Sequence, residues 1–200
     1  MPFYPDNASV PAELRTTEFL LRPLRGTDVE LDYAALMASK AMLRQWSQSD
    51  WPSDEFTLAE NLADLVEHQQ EHEARVAFTY TVTDPEATIC LGCVYIKPPG
   101  PLLAAEEPAL FAADEPFRAR CAFWAREPRL ADDLDRRLLA TLITWFQRDW
   151  AFSRVLFVTS EQDNRQQQIM AEAGLRRLIV KETADRESGK TKRWVVYGDR

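Results

Sequence analysis

The segment Glu127-Pro-Arg-Leu-Ala-Asp-Asp-Leu-Asp-Arg-Arg-Leu-Leu139 joins a predicted apolar strand, residues 118–125, to an amphipathic helix predicted from about residue 133 to 149. A strand-to-helix junction of this kind normally presents free backbone N–H groups and the positive helix end to an anion. Here the chain places three carboxylates at that spot, those of Asp132, Asp133 and Asp135. In the structural interpretation, Asp132 caps the helix and the other two favour its positive end. The segment therefore predicts the fold more clearly than the chemistry.

Upstream of this segment the sequence predicts a strand, two helices and a hairpin. Two capping boxes, Thr27 with Glu30 and Thr57 with Glu60, mark helix starts, and the first helix is expected to end near residue 43. The second helix has apolar residues on one shared face, namely Leu58, Leu62, Leu65 and Val66. Strands are predicted at residues 18–25, 75–82 and 88–96, and a turn joins the last two into an antiparallel hairpin.

Downstream, the pattern predicts a strand at residues 155–159, a helix at 164–173 closed by Gly174, and strands at 178–182 and 194–197. Residues 98–116 show no periodicity and predict a surface loop with a short helical turn around Leu110. The order β-α-α-β-β-β-α-β-α-β-β predicts an α/β (α+β) fold, a mixed twisted sheet of about seven strands with about four helices on both faces. We expect one domain at 14–200, with an N-terminal arm at 1–13 and an insertion at about 98–117.

The composition argues against several classes of protein. A net charge of −8 leaves no basic stripe for nucleic acid and favours an amine-bearing partner. The N-terminus lacks the basic and apolar regions of a signal peptide, and no segment has the apolar length that spans a bilayer, so no membrane partner is expected. Three cysteines are too few for a disulfide framework, which predicts a reducing, cytoplasmic location.

In order and spacing these elements resemble the GNAT superfamily of acyl-CoA-dependent N-acetyltransferases, and most of all the branch that acetylates N-terminal amines of ribosomal proteins. The matching pieces are Phe19-Leu-Leu-Arg-Pro-Leu-Arg25 with Thr27-Asp28, Trp51-Pro-Ser-Asp-Glu55, Leu91-Gly-Cys-Val-Tyr-Ile96, Phe123-Trp124, Arg154-Val-Leu-Phe-Val158, Asp163-Asn164 and Ala171-Glu-Ala-Gly-Leu175. The resemblance implies a splayed gap between two central parallel strands and acetyl-CoA as cofactor.

The resemblance also implies two sets of site residues. Cofactor contacts are expected at Trp124, Ala125, Arg126, Leu130, Asp133, Asp135, Arg136 and Asn164. The acceptor amine is expected beside Trp46, Trp51 and Phe123. Trp46 and Trp51 are the more suggestive of these, because they are large aromatics in a polar loop.

The chain departs from the family's pattern in its diphosphate loop, which reads Gln/Arg-x-x-Gly-x-Gly/Ala. Counting from Trp124, those positions fall on Leu130, Asp133 and Asp135. A carboxylate about 4 Å from a phosphate would cost on the order of several kcal/mol at an effective dielectric of about 20. The basic residues Arg129, Arg136 and Arg137 would neutralise part of that charge.

Two further departures concern proton transfer. Arg120 stands where relatives often carry a general-base Glu, and an arginine cannot accept the proton. Met170 stands where many superfamily members carry a Tyr that protonates the departing thiolate. The catalytic residues therefore stay unassigned.

Two pairs of residues that look like ligand sets have structural interpretations. Cys90 and Cys93, three apart on a strand, are predicted to face opposite sides and to be buried structural thiols. His68 and His72, four apart on a helix, are predicted to lie on a solvated face, because a metal site would need a third ligand.

Two functions follow, from different classes. The first is an N-acetyltransferase that moves an acetyl group from acetyl-CoA to an amine of a small molecule or a protein N-terminus, with water or an unidentified carboxylate taking the proton. The second is an inactive GNAT-fold protein that binds a ligand or a protein partner, because Asp replaces Gly in the diphosphate loop. The insertion would cover either a homodimer face or the acceptor cleft, and the sequence favours neither.

Overall fold

The computed structural model describes residues 3–112, 115–184 and 189–199, which form eight strands and seven α-helices. The strands are β1 (Leu14–Arg15), β2 (Leu20–Pro23), β3 (Phe78–Thr83), β4 (Cys90–Lys97), β5 (Arg118–Ala125), β6 (Arg154–Ser160), β7 (Arg176–Ala184) and β8 (Thr191–Gly198). The helices are α1 (Val29–Ala38), α2 (Lys40–Ser47), α3 (Leu58–Glu73), α4 (Gly100–Leu103), α5 (Glu107–Leu110), α6 (Leu134–Asp149) and α7 (Asn164–Glu172). Over these ranges, no helix combines the length and apolar character that crossing a bilayer requires.

The strands form one mixed sheet in the order β1-β2-β3-β4-β5-β6-β8-β7. Among the described strands only β5 and β6 are parallel neighbours, and their pairing ends at Cys121 opposite Phe157. Beyond that point β5 stays paired with β4 as far as Ala125, and β6 stays paired with β8 as far as Ser160. The central strands therefore diverge and leave a gap, which confirms the predicted mixed sheet with a splayed centre.

Helices cover both faces of this sheet, as predicted. On one face α6 and α7 pack over Tyr80, Val94 and Phe123. On the other, α1 to α3 pack over Cys93 and Trp124. Successive residues of a strand point to opposite faces, so the neighbours Phe123 and Trp124 belong to different layers. That division decides which side chains can reach the site described below.

The helix predicted over residues 27–43 is broken in two. Ser39 separates α1 from α2, is fully buried, and its Oγ accepts a hydrogen bond from the Glu127 backbone N–H at 2.9 Å. The predicted box of Thr27 with Glu30 was also wrong. Asp28 accepts from the Arg25 backbone N–H at 3.0 Å and pairs with Arg22 at 2.7 and 2.8 Å. A long-range contact and a half-buried ion pair thus override the local signals.

The box of Thr57 with Glu60 at the start of α3 is confirmed. The apolar face predicted for this helix does not match the buried one, because Leu58, Leu62 and Val66 are exposed and only Leu65 is buried. Among the residues that α3 buries at least in part, one set is spaced at helical intervals: Asn61, which bonds to α1, then Leu65, His68 and His72. The solvated face predicted for the two histidines was therefore wrong, since both are half-buried against aromatic rings.

Cys90 and Cys93 lie on the same side of the sheet, contrary to prediction. The β3–β4 register slips between Val82, which faces Gly92, and Thr83, which faces Cys90. This bulge adds one residue to β4 and interrupts the alternation, so both thiols join the layer under α1 to α3. Burial is confirmed, and it raises the pKa of Cys90 to about 12, as expected for an unreactive thiol.

Residues 98–112 pack onto the sheet where a surface loop is predicted. Leu103, Leu110 and Phe111 are buried against Val158 of β6 and Val196 of β8. The helical turn predicted around Leu110 is confirmed by α5. Each helix here has a single turn, too short to show periodicity in the sequence. Ala113 and Asp114, also within the predicted insertion, lie outside the described residues.

Element numbers differ from the prediction for simple reasons. The short edge strand β1 raises the count of strands from about seven to eight. The break at Ser39 adds one helix, and the insertion adds two. In the N-terminal arm, Tyr4 is buried against Phe78 and Trp150.

Candidate functional site at the split in the sheet

Two cavities open near the point where β5 and β6 diverge. The larger, called the aromatic cavity, has a volume of about 500 Å³, and Trp46, Trp51, Tyr95 and Trp194 form much of its lining. The smaller, called the loop cavity, has a volume of about 350 Å³ and lies beside the β5–α6 and β6–α7 connections. Ala122 and Val158, which follow the last β5–β6 pair, line the aromatic cavity. The gap in the sheet therefore opens into that cavity.

A pair of aromatic side chains connects the two cavities. Trp124 lines the loop cavity and donates its indole N–H to the hydroxyl of Tyr95, in the aromatic cavity, at 3.2 Å. Helix α2 lines both cavities, because Gln45 lies at the loop cavity and Trp46 at the aromatic cavity. The Gln45 amide donates to the Gln162 carbonyl at 2.7 Å, across the gap from β5. One helix and one hydrogen bond thus couple the cavities.

The structure brings five of the eight predicted cofactor residues together in the loop cavity: Trp124, Ala125, Leu130, Asp135 and Asn164. Arg136 and Asp133 stand at the start of α6 outside this lining, and Arg136 pairs with Glu172 of α7. Arg126 turns toward β4, where its guanidinium donates to the Cys90 carbonyl at 3.4 Å.

The carboxylates at the start of α6 are held by a cation of the same chain. Asp135 is buried and accepts from Arg165 at 2.6 and 2.8 Å. The Nη2 of Arg165 also donates to Asp133 at 3.0 Å and to the Leu130 carbonyl at 2.7 Å. Hydrogen bonding to Asp135 is the main reason that the pKa of Arg165 is raised. We call Asp133, Asp135 and Arg165 the loop cluster.

Asp135 also occupies part of the helix start itself. One of its oxygens accepts the Arg136 backbone N–H at 3.0 Å, one of the N–H groups that a helix start leaves without an intrahelical partner. Asp133, the residue before α6, has φ 56° and ψ 30°, a left-handed conformation that glycine adopts most easily. The backbone here is therefore of the kind that suits a glycine, although the side chain is a carboxylate.

Asp132 does not cap α6, contrary to prediction. It belongs to the 3₁₀ turn Glu127–Asp132 and pairs with Arg129 at 2.9 Å. The turn moves the N-cap position one residue along, to Asp133, whose side chain makes no capping hydrogen bond.

Gln166 of α7 reaches into the gap between the central strands. Its amide donates at 2.8 Å to the Phe123 carbonyl, which lies in the part of β5 that β6 no longer pairs with. Its own Oε1 is buried and has no hydrogen-bond partner within the described chain. A buried polar atom of this kind is costly, so Gln166 offers a group that a polar ligand in the gap would satisfy.

Two of the three predicted acceptor residues, Trp46 and Trp51, line the aromatic cavity. Phe123 does not, because it points into the core beneath α6. The sequence reasoning missed Tyr95, Trp194 and His68, and it considered Arg120 only as a lost base. Alternation along a strand puts Tyr95 and Lys97 on one face of β4, and Arg120 and Ala122 on one face of β5. That both pairs line the same cavity follows only from the β4–β5 register.

Charged groups reach the aromatic cavity from two walls. The sheet contributes Lys97 and Arg120, while α3 contributes Asp64, Glu67 and His68. The Nε of Arg120 donates to the Pro98 carbonyl at 3.2 Å, and desolvation by burial lowers the pKa of Arg120. Desolvation raises the pKa of Asp64, and the charges of Glu67 and Glu60 add to that rise. The lining is therefore cationic on one side and acidic on the other.

His68 is positioned by a carboxylate and by an aromatic ring. Its Nδ1 lies 3.1 Å from Glu71 Oε2, and its ring centre lies 5.5 Å from that of Tyr95. The same Glu71 oxygen is 3.7 Å from Lys97 Nζ. In the part of the chain that the structure describes, no three His, Cys, Asp or Glu side chains converge as a metal site would require. Nδ1 of His68 is therefore paired with a carboxylate at the wall of the aromatic cavity.

The split mixed sheet with helices on both faces is the fold of the GNAT acetyltransferases. A structure of the ribosomal-protein α-N-acetyltransferase RimL in complex with coenzyme A matches with a TM-score of 0.70 and 15% identity, over 95% of this chain and 96% of that one. The self-immunity acetyltransferase MccE, in complex with acetyl-CoA and AMP, matches with a TM-score of 0.72 and 12% identity, over 97% and 99%. A ribosomal-protein alanine acetyltransferase from Vibrio fischeri matches with a TM-score of 0.67 and 13% identity, over 94% and 96%.

No protein-family model matches the sequence, and no curated protein matches it. The likeness to solved structures therefore establishes the fold alone.

Proposed function

We propose that this protein is an N-acetyltransferase that transfers an acetyl group from acetyl-CoA to an amine held in the aromatic cavity. The observation that carries the proposal is the gap between β5 and β6, which opens into a cavity lined by a carboxylate-paired histidine. RimL and MccE, which share the fold over more than nine-tenths of this chain, are acetyltransferases. The acceptor is an amine-bearing small molecule or peptide.

His68 is the group proposed to take the proton from the amine. A carboxylate at Nδ1 favours the tautomer in which Nδ1 carries the proton and Nε2 is the acceptor. Arg120 occupies the position that the family resemblance gives to a general-base Glu, and arginine stays protonated. We therefore assign the general base to His68 on α3 and not to a residue of β5.

Acetyl-CoA fits one part of the site and not another. The gap suits an acyl and pantetheine chain, because Gln166 presents an unsatisfied polar atom there. The loop cluster does not fit a diphosphate as it stands. Its two carboxylates and one guanidinium sum to a charge of −1, which Arg136, 3.9 Å from Asp133, offsets in part, and Asp135 already occupies the Arg136 N–H. We therefore expect coenzyme A binding to be weak.

The loop cluster favours a second candidate, a GNAT-fold protein without acetyltransferase activity that binds its ligand in the aromatic cavity. In that case acetyl-CoA does not bind in the gap between β5 and β6. The two candidates make opposite predictions about acetylated product.

The test is acetylation of a panel of amines with acetyl-CoA, followed by mass spectrometry of the products. His68→Gln should lower the rate roughly 10²- to 10⁴-fold, the usual contribution of general-base catalysis. His72→Gln is the matched control, because His72 lies on the same helix but packs against Phe78 and Tyr80.

Two results would count against the proposal. If no amine is acetylated and calorimetry detects no coenzyme A binding, the inactive candidate is supported. If acetylation occurs but His68→Gln and His72→Gln behave alike, the fold-based function stands and the assignment of His68 is wrong.

A further inference from the structure

Two cations reach the aromatic cavity from adjacent strands. Lys97 of β4 and Arg120 of β5 are direct partners in the antiparallel register, so their side chains project from the same face. Like charges at such a position destabilise a sheet. Lys97 has partial compensation from Glu71 at 3.7 Å, whereas Arg120 forms no ion pair with any residue that the structure describes. An anion between them would satisfy both.

Arg120 is also partly removed from water. Its side chain is half-buried, and its Nε donates to the Pro98 carbonyl. Desolvating a guanidinium without a carboxylate partner is unfavourable, which the lowered pKa of Arg120 reflects. A residue kept at such a cost is more easily explained by a ligand than by the stability of the fold.

The remaining lining narrows the kind of ligand. Asp64 and Glu67 of α3 balance the two cations, so the cavity as a whole suits neither a simple anion nor a simple cation. Trp46, Trp51 and Trp194 supply flat apolar surfaces. A volume of about 500 Å³ is in the usual range for a small-molecule site.

We propose that the aromatic cavity binds a small zwitterion: an amine that also carries a carboxylate or phosphate oxyanion on an apolar body. The oxyanion lies between Arg120 and Lys97, and the amine lies toward Asp64, Glu67 and His68. We take this zwitterion to be the acetyl acceptor, and that part of the inference rests on the proposed function. Binding of the zwitterion to the aromatic cavity does not depend on acetyl transfer. The N-terminal residue of a protein is a poorer match, because its carboxyl group is a neutral amide.

The experiment is calorimetric titration, without any acyl donor, of two probes that differ in one group. L-phenylalanine has an amine, a carboxylate and an aromatic body, and L-phenylalaninamide replaces the carboxylate by the neutral amide found in a peptide. The acid should bind at least roughly tenfold more tightly, the usual size of a hydrogen bond to a charged group. The phosphonate analogue of phenylalanine, as a third probe, distinguishes a carboxylate site from a phosphate site by which acid binds more tightly.

Variants of the two cations test whether Arg120 and Lys97 cause the preference for the acid. Arg120→Gln and Lys97→Gln should each weaken binding of the acid roughly tenfold or more and leave the amide unchanged. Arg118→Gln is the matched control, because Arg118 lies on the same strand but pairs with Glu107 at 3.2 Å outside the cavity. Thermal unfolding should show Arg120→Gln to be as stable as the wild type or more so, whereas a purely structural arginine would lower the melting temperature when replaced.

Several outcomes would overturn the inference: equal binding of acid and amide, equal loss of both in Arg120→Gln, or no binding of either acid at millimolar concentration. Failure of the proposed function gives a different result. Tight binding of an acid probe with no acetylated product would support the zwitterion site and count against the acetyltransferase. Acetylation of the amide but not of either acid would support the acetyltransferase and count against the zwitterion site.

Discussion

Replacing Asp133 by glycine should strengthen coenzyme A binding. The Asp133 carboxylate is exposed, lies in a left-handed conformation at the start of α6, and shares the Arg165 guanidinium with buried Asp135. Its removal changes the charge of the loop cluster from −1 to 0 and keeps the buried Asp135–Arg165 pair. The perturbation is therefore local, and glycine suits the backbone at this position.

The expected gain follows from Coulomb's law with strong screening. A carboxylate about 4–8 Å from a phosphate repels it by roughly 2–4 kcal/mol at an effective dielectric of about 20. More than half of the Asp133 side chain is exposed, so water, salt and the neighbouring Arg165 and Arg136 reduce this to about 1 kcal/mol. Coenzyme A should then bind about five- to tenfold more tightly. The free energy of unfolding should change by less than about 1 kcal/mol.

The assay is calorimetric titration of coenzyme A into the wild type and three variants. Asp133→Asn removes the charge without adding a glycine, so equal gains in Asp133→Gly and Asp133→Asn would identify charge as the cause. Asp149→Asn, at the other end of α6 where Asp149 pairs with Arg148, controls for net charge. The gain should shrink as salt is added. Wild-type affinity equal to that of both Asp133 variants would refute the reasoning.

Two further predictions concern stability. Desolvation raises the pKa of buried Asp32 to about 6 from 3.8, so the folded state binds this proton more tightly than the unfolded chain. Stability should therefore fall as the pH rises from about 4 to 6, by on the order of 3 kcal/mol, and thermal unfolding of Asp32→Asn should lack this decline. On α3, Leu65→Ala should cost about 2–5 kcal/mol and Leu62→Ala less than about 1 kcal/mol in urea unfolding, because only Leu65 is buried; equal losses would contradict the assigned face.

The central part of the fold could be predicted because its signals are local. The strand at residues 118–125 matches β5, and the helices predicted at 133–149 and 164–173 match α6 and α7 to within a residue at each end. Each of these elements combines clear periodicity with a marked end. The break at Ser39 could not be predicted in this way, because the hydrogen bond there comes from Glu127, far along the chain.

The site was less predictable, for a similar reason. Trp46 and Trp51 were found because large aromatics stand out in a polar stretch of sequence, although the predicted loop was wrong for Trp46, which lies on α2. The pairing of Lys97 with Arg120 depends on the β4–β5 register, and the inward turn of His68 depends on which face of α3 meets the sheet. On α3 the apolar residues Leu58, Leu62 and Val66 misled, since the inner face is occupied by Leu65 together with polar residues at helical spacing. Only tertiary packing distinguishes the two sets.

Two of the departures from the family's pattern, at the diphosphate loop and at Arg120, have different physical consequences. At the start of α6 the added carboxylates are paired within the chain, so they oppose a diphosphate while costing the fold little. At β5 the added guanidinium is not neutralised by any described carboxylate, so its charge remains available to a ligand. If the proposed function holds, the first change should weaken cofactor binding, and the second should favour an acceptor that carries an oxyanion. The two changes lie at separate cavities. Calorimetric titration of coenzyme A therefore measures the effect of the carboxylates, and titration of the zwitterionic probes measures the effect of Arg120.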